Sequence, residues 1–232
     1  IDDAQERVWI QVYIFTERDI RAALIRARER WVDVRVLLEP HVFWAPDINK
    51  TTFEMLQGSD IEVAYASDDL YTFTHSKFML IDDEYLIGTG NISYSTFRHN
   101  RDFFALWDDQ DVLSDLELLY QQDFDHKPHA VSSHELIGAP DGSREAILSL
   151  LKSVESSLIM YAQSLSDEDV KNTLMDLHDR WIKMSLFMWH VDKYPANEDD
   201  IAELRDHGIT IVTPKSPYIH AKALFIDEKI GY

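Results

Sequence analysis

Apolar residues along the chain recur with two periods, one near two and one near 3.6. In residues 8–15, Val8, Ile10, Val12 and Ile14 alternate with Trp9, Gln11, Tyr13 and Phe15. Such a nearly all-apolar strand is what a sheet covered on both faces requires. Residues 1–6 read as the end of a helix that packs Ile1 and Ala4. Thr16 stands where an N-cap would open the next helix, and Ile20, Ala23, Leu24 and Ala27 follow at helical spacing. Residues 32–38 make a second buried strand, so strand, helix and strand form a βαβ unit in a parallel or mixed sheet. A loop with two prolines leads to a helix over 51–56, broken by Gly58, and then to a short strand over 61–64. A helical turn after Asn91, a strand over 103–107 and a helix over 112–124 complete this stretch.

The pattern then starts again. Residues 126–142, carrying Lys-Pro-His and Gly-Ala-Pro, read as a linker, and a helix follows over 143–154. Leu158 lies 150 residues after Val8, Ser166 falls on Thr16, and Trp181 falls on Trp31. Later the offset shrinks, with Ile209 at 148 after Ile61 and His220 at 145 after His75. A period this long signals a duplicated unit rather than a solenoid. The expected domains are a first half over 1–125, the linker, and a second half over 143–232. A duplicated α/β unit would bring its equivalent strand ends together at a pseudo-twofold axis.

Candidate chemistry sits at matching places in the two halves. Residues 74–91 contain His75, Lys77 and Asp82, then Gly88-Thr89-Gly90-Asn91; residues 219–227 contain His220, Lys222 and Asp227. Both copies read His-x-Lys-x4-Asp. Histidine and lysine two apart on a strand share a face, whereas the aspartate, five beyond the lysine, points to the other. That geometry suits an imidazole and an ammonium gathered on a small anion, with Asp82 and Asp227 in a structural hydrogen-bonding role.

Two such motifs, the first followed by Gly-Thr-Gly-Asn, resemble the signature of the phospholipase D superfamily, and the resemblance covers nearly the whole chain. It implies two pseudo-twofold-related α/β/α sandwich halves with mixed, largely parallel sheets. It also implies a phosphohistidine mechanism: His75 attacks phosphorus, and His220 protonates the leaving alkoxide and then activates water or an alcohol. Lys77 and Lys222 would bind the phosphate oxygens, helped by Asn91 and Thr89. Relatives often carry Asn-x-Glu or Asn-x-Asp after the first motif, which makes Asp102 the expected orienting carboxylate of His75. The counterparts of Asn91 and Asp102 for the second motif would follow Tyr232, so the chain reads as part of a longer protein. Trp31 departs from the family, which commonly has glycine there.

Composition narrows the substrate. The formal net charge of −20 makes the chain a poor electrostatic partner for nucleic acid, which lowers the nuclease reading without removing it. A phospholipid is the expected substrate, by transfer as in bacterial cardiolipin synthases or by hydrolysis; an inactive interaction module is the reading from another class. Peripheral membrane contact, a cytoplasmic or membrane-associated place in a bacterium, and oligomeric state stay open. Phe43, Trp44 and Trp107 suit an apolar lip for acyl chains, with core packing as the plainer use of each. No cofactor is implied. His75, His220 and Asp102 are the residue types of a zinc site, but a lysine beside each histidine would repel a cation. The acidic cluster at Asp108, Asp109, Asp111, Asp115 and Glu117 suits a solvated helix face. Cysteine is absent, which excludes disulfides and thiol catalysis. No run reaches the roughly 18 apolar residues of a membrane-spanning helix.

Overall fold

Val8, Ile10 and Val12 turn to one side of the first strand and Trp9, Gln11 and Tyr13 to the other, and all six are buried. The computed structural model describes residues 1–128, 136–192, 194–228 and 230–231, so part of the expected linker, 129–135, lies outside the described residues. The chain divides into two units, one of Ile1–Phe97 with Phe104–Gly138, the other of Arg98–Phe103 with Ala139–Tyr232. Residues 98–103 thus belong to the second unit, although a linear reading leaves them in the first half.

The first stretch runs β1 (Arg7–Val12), α1 (Arg18–Glu29), β2 (Asp33–Leu38), α2 (Lys50–Gln57), β3 (Glu62–Tyr65), β4 (Lys77–Ile81) and β5 (Glu84–Gly88). It continues with α3 (Tyr94–Arg98), β6 (Asn100–Arg101), β7 (Phe104–Trp107) and α4 (Gln110–Phe124). The sheet order is β3-β2-β1-β4-β5-β7. β3, β2 and β1 are parallel; β4, β5 and β7 join antiparallel. Val8, Ile10 and Val12 pack with Leu24 and Ala27 of α1 and Leu56 of α2. Trp9, Phe78 and Leu80 pack with Val112, Leu116 and Tyr120 of α4 on the other face. The layering is α/β/α because both strand faces are apolar. Asp109 of the acidic cluster caps α4, accepting from the N–H groups of Asp111 and Val112.

The second unit runs α5 (Ser143–Lys152), β8 (Ser157–Ala162), α6 (Glu168–Asp179), β9 (Lys183–Met188), α7 (Glu198–Asp206), β10 (Ile211–Val212), β11 (Tyr218–Ile219), β12 (Ala223–Ile226) and β13 (Ile230–Gly231). Its sheet order is β10-β9-β8-β12-β13, again parallel at one side and antiparallel at the other. Leu158, Met160, Leu186 and Leu224 pack against α5, α6 and α7. On the opposite face Phe103 packs edge-on against Tyr161 and Phe225. β6 pairs in parallel with β11, Tyr218 beside Asn100 and Ile219 beside Arg101. This pairing brings 98–103 into the second unit.

Two local expectations fail for tertiary reasons. Residues 1–6 form a turn, not a helix end, because the N–H groups of Gln5, Glu6 and Arg7 donate to the Asp82 carboxylate. The N-cap of α1 is Glu17 rather than Thr16. Thr16 and Glu17 both donate to the Ile92 carbonyl, which holds the chain extended one residue longer. Trp31 and Trp181 end α1 and α6 with φ of 70° and 62°. Val32 N–H bonds Ala27 O and Trp31 N–H bonds Arg28 O, the paired closure in which glycine is usual. Both tryptophans pack on almost nothing, at 85% and 93% exposure.

Candidate active site

In the first unit the motif begins just before β4. Lys77 opposes Val12 of β1, while His75 precedes the strand and is exposed. Lys77 is buried, its Nζ 2.6 Å from the His75 carbonyl oxygen and 3.2 Å from His75 Nδ1. An ammonium can only donate, so in this arrangement His75 Nδ1 accepts. Tyr13 backs the pair, its ring centroid 4.4 Å from the imidazole and 5.5 Å from the lysine Nζ. Burial raises the Tyr13 phenol pKa. Buried Glu39 accepts from Thr74 N–H at 2.7 Å and from His41 N–H at 2.8 Å, fixing the backbone that carries His75. Asn91 is buried, and its Oδ1 accepts from Ile14 N–H at 3.2 Å, which turns its NH2 group the other way. Thr89 is half-buried beside it.

Sequence alone does not single out Tyr13 and Glu39. The one available signal was Glu39 itself, a carboxylate closing an apolar strand.

In the second unit His220 follows β11 and Lys222 leads into β12. His220 Nδ1 lies 2.9 Å from Asp102 Oδ1, and the carboxylate is nearly sealed, its side chain 2% exposed. A carboxylate only accepts, so the proton of this bond sits on Nδ1 and the Nε2 lone pair faces outward. Nε2 lies 3.4 Å from Lys222 Nζ. Burial pushes the Lys222 ammonium down to about 8, against the pull of Asp102. The Trp189 ring lies alongside, 6.0 Å from that of His220.

Asp102 therefore meets His220, whose carboxylate the sequence reading places beyond Tyr232. The reason is the β6–β11 pairing: His220 and Ala221 both donate their N–H to the Arg101 carbonyl, which sets Asp102 beside the ring. The motif aspartates lie at the far ends of their strands. Asp82, at φ 49°, holds the three N–H groups that open β1. Asp227, at φ 55°, holds those of Glu155, Ser156 and Ser157 and the Ser156 hydroxyl. Both carboxyl pKa values are lowered: at Asp82 burial pulls upward but these hydrogen bonds and the Arg7 charge outweigh it, and at Asp227 the hydrogen bonds lead. Phe43, Trp44 and Trp107 are exposed, so none of them is core. Phe43 and Phe73 meet edge-on at 6.2 Å, and Phe73 lies 6.0 Å from Tyr13.

A duplicated His-x-Lys that leads into an antiparallel strand of a mixed α/β sheet is the arrangement of phospholipase D-like domains. Residues 1–126 match the family described as cardiolipin synthase, PLD-like domain, and the chain belongs to that family. Cardiolipin synthase A of Pseudomonas syringae pv. syringae (strain B728a) is 31% identical over 142 residues, 53% of this chain and 26% of that protein. Cardiolipin synthase 1 of Staphylococcus aureus (strain COL) is 29% identical over 130 residues, 53% of this chain and 25% of that protein. The chain thus spans about a quarter of the length of these curated relatives. Among solved structures, phosphatidylserine synthase of Haemophilus influenzae Rd KW20 superposes on 98% of this chain and 72% of its own at TM-score 0.74 and 11% identity. Polyphosphate kinase of Porphyromonas gingivalis does so on 81% and 34% at TM-score 0.62 and 20% identity. At these identities the likeness is one of fold. No helix among the described residues is long and apolar enough to cross a membrane.

Proposed function

We propose that this domain exchanges or hydrolyses the phosphodiester of a phospholipid through a phosphohistidine. His75, the more exposed ring, is the nucleophile. The unprotonated nitrogen of His75 forms a bond to phosphorus as the bond to the leaving alkoxide breaks, and His220, entering as the imidazolium that Asp102 stabilises, gives that alkoxide its Nε2 proton. In the second step His220 removes a proton from an alcohol or water, whose oxygen bonds phosphorus and releases His75. Lys77 and Lys222 hold the non-bridging oxygens, with Asn91 and Thr89 as further donors.

The observation that carries the reading is the Asp102–His220 pair. A carboxylate on Nδ1 fixes the tautomer and stabilises the imidazolium of a ring that takes and returns a proton. The exposed Phe43 and Phe73 beside Tyr13, and exposed Trp44 next in sequence to Phe43, favour a lipid over a polyanion, as does the net charge of −20. Incubation with phosphatidylglycerol should release glycerol with cardiolipin, by transfer, or give phosphatidic acid, by hydrolysis. His75→Ala should lower that rate by about 10³-fold. Cleavage of single-stranded DNA with no lipid product would overturn the substrate class, and an unimpaired His75→Ala variant would overturn the nucleophile.

A further inference from the structure

Arg21 and Lys171 hold the same position in the two copies, 150 residues apart and on the inner side of α1 and α6. Both are buried, at 8% and 4% exposure. Around them the copies diverge. Lys171 Nζ meets three carboxylates, Glu168 at 2.8 Å, Asp200 at 3.0 Å and Glu203 at 2.5 Å. In the first copy the corresponding residues are Arg18, Thr52 and Met55. One further cation, one hydroxyl and one thioether stand in place of three negative charges.

Arg21 Nη1 donates to Thr52 Oγ1 at 3.2 Å, and its buried Nε has no hydrogen-bond partner. Burial and Arg18 lower the Arg21 pKa, outweighing the opposite pull of Glu17 one turn back. A buried charge short of partners is costly, and the second copy displays how the same site is neutralised when the protein does it alone.

The position also opens outward. Arg18, Arg21, Ala22, Ile25, Thr51 and Met55 line a cleft of about 360 Å³ between α1 and α2. Arg18 is the first residue of α1 and Thr51 the second of α2. Neither helix has a side-chain N-cap bond, whereas Asp167 caps α6 by accepting from Asp169 and Val170 N–H.

We propose that this cleft binds an oxyanion of the phosphate class, whose oxygens give Arg21 and Arg18 the negative charge that Glu168, Asp200 and Glu203 give Lys171. Two sources share that chemistry. One is free phosphate; the other is the head group of an anionic phospholipid, whose carbon atoms would lie on Ile25 and Met55.

The test follows the Arg21 Nε–Hε NMR signal, assigned by its loss in Arg21→Lys, during titration with inorganic phosphate and, separately, with monomeric dihexanoylphosphatidylglycerol. A saturable shift is expected. The double variant Arg18→Glu with Met55→Glu rebuilds two of the three carboxylates at exposed positions and should weaken binding at least about tenfold. A shift with both probes identifies a phosphate site, and a shift with the lipid alone a head-group site. Absence of a saturable shift with either probe, or unchanged affinity in the double variant, overturns the proposal.

Discussion

His75 and His220 occupy the same motif, but they face their lysines through opposite ring nitrogens. Lys77 approaches His75 at Nδ1, while Lys222 approaches His220 at Nε2 because Asp102 already holds Nδ1. A short motif on a strand fixes where a ring stands. What lies behind the ring decides which nitrogen carries the proton, and that neighbour comes from elsewhere in the chain. Sequence identity between two copies therefore does not make their chemistry equivalent.

Among changes that bear on this contrast, breaking the carboxylate contact should have the largest effect. Asp102→Asn is expected to lower activity by about 10²-fold and to move the ¹⁵N resonances of His220 while leaving those of His75 in place. Equal movement of both histidines would erase the distinction drawn between them.

The lysines give a second handle. Lys222 folds with a pKa of about 8, below the 10.5 of an ordinary lysine, chiefly through burial. Burying the charged form thus carries a penalty that is present in full below about 8 and fades as the pH climbs toward 10.5. Lys222→Met should raise the urea midpoint at neutral pH and raise it less near the upper end of that window. Activity that depends on the charged ammonium should decline as pH rises through about 8, a limb that Lys222→Arg should remove.

The smallest effect is expected at the motif aspartates, whose work is on the backbone. Asp82→Asn and Asp227→Asn should each lower Tm by a few degrees, with the larger loss at Asp227, which holds one more donor. Both folded pKa values are depressed. The stability they add is therefore present above the ordinary carboxylate range and disappears as pH falls through the folded values. Acid unfolding monitored by circular dichroism would reveal a smaller pH dependence in each variant.

These contrasts mark how far the sequence can be read. The 150-residue offset, the strands and the paired motifs are legible because strand periodicity and long amphipathic helices are local properties. The partner of Asp102 is not, because β6 and β11 are each two residues long and carry no pattern that announces their pairing. Thr16 fails as an N-cap through a single carbonyl, that of Ile92, and residues 1–6 avoid helix through a single side chain, that of Asp82. The left-handed position at Trp31 was hidden for another reason: glycine would have announced it, and tryptophan does not. Arg21 passes as an ordinary helix residue until its counterpart Lys171 reveals what a cation there requires.

The crossing of residues 98–103 into the second unit bears on how the polypeptide can assemble and be dissected. Asp102 and His220 are 118 positions apart, so the contact that orients the His220 ring must wait for the closure of a long loop. The second unit cannot complete itself from its own contiguous stretch. Excised at Ala139, it would lack the partner strand of β11 and the carboxylate of His220. The internal repeat suggests a duplicated ancestor, yet the exchange of one hexapeptide leaves the present chain without a scissor point that yields two whole parts.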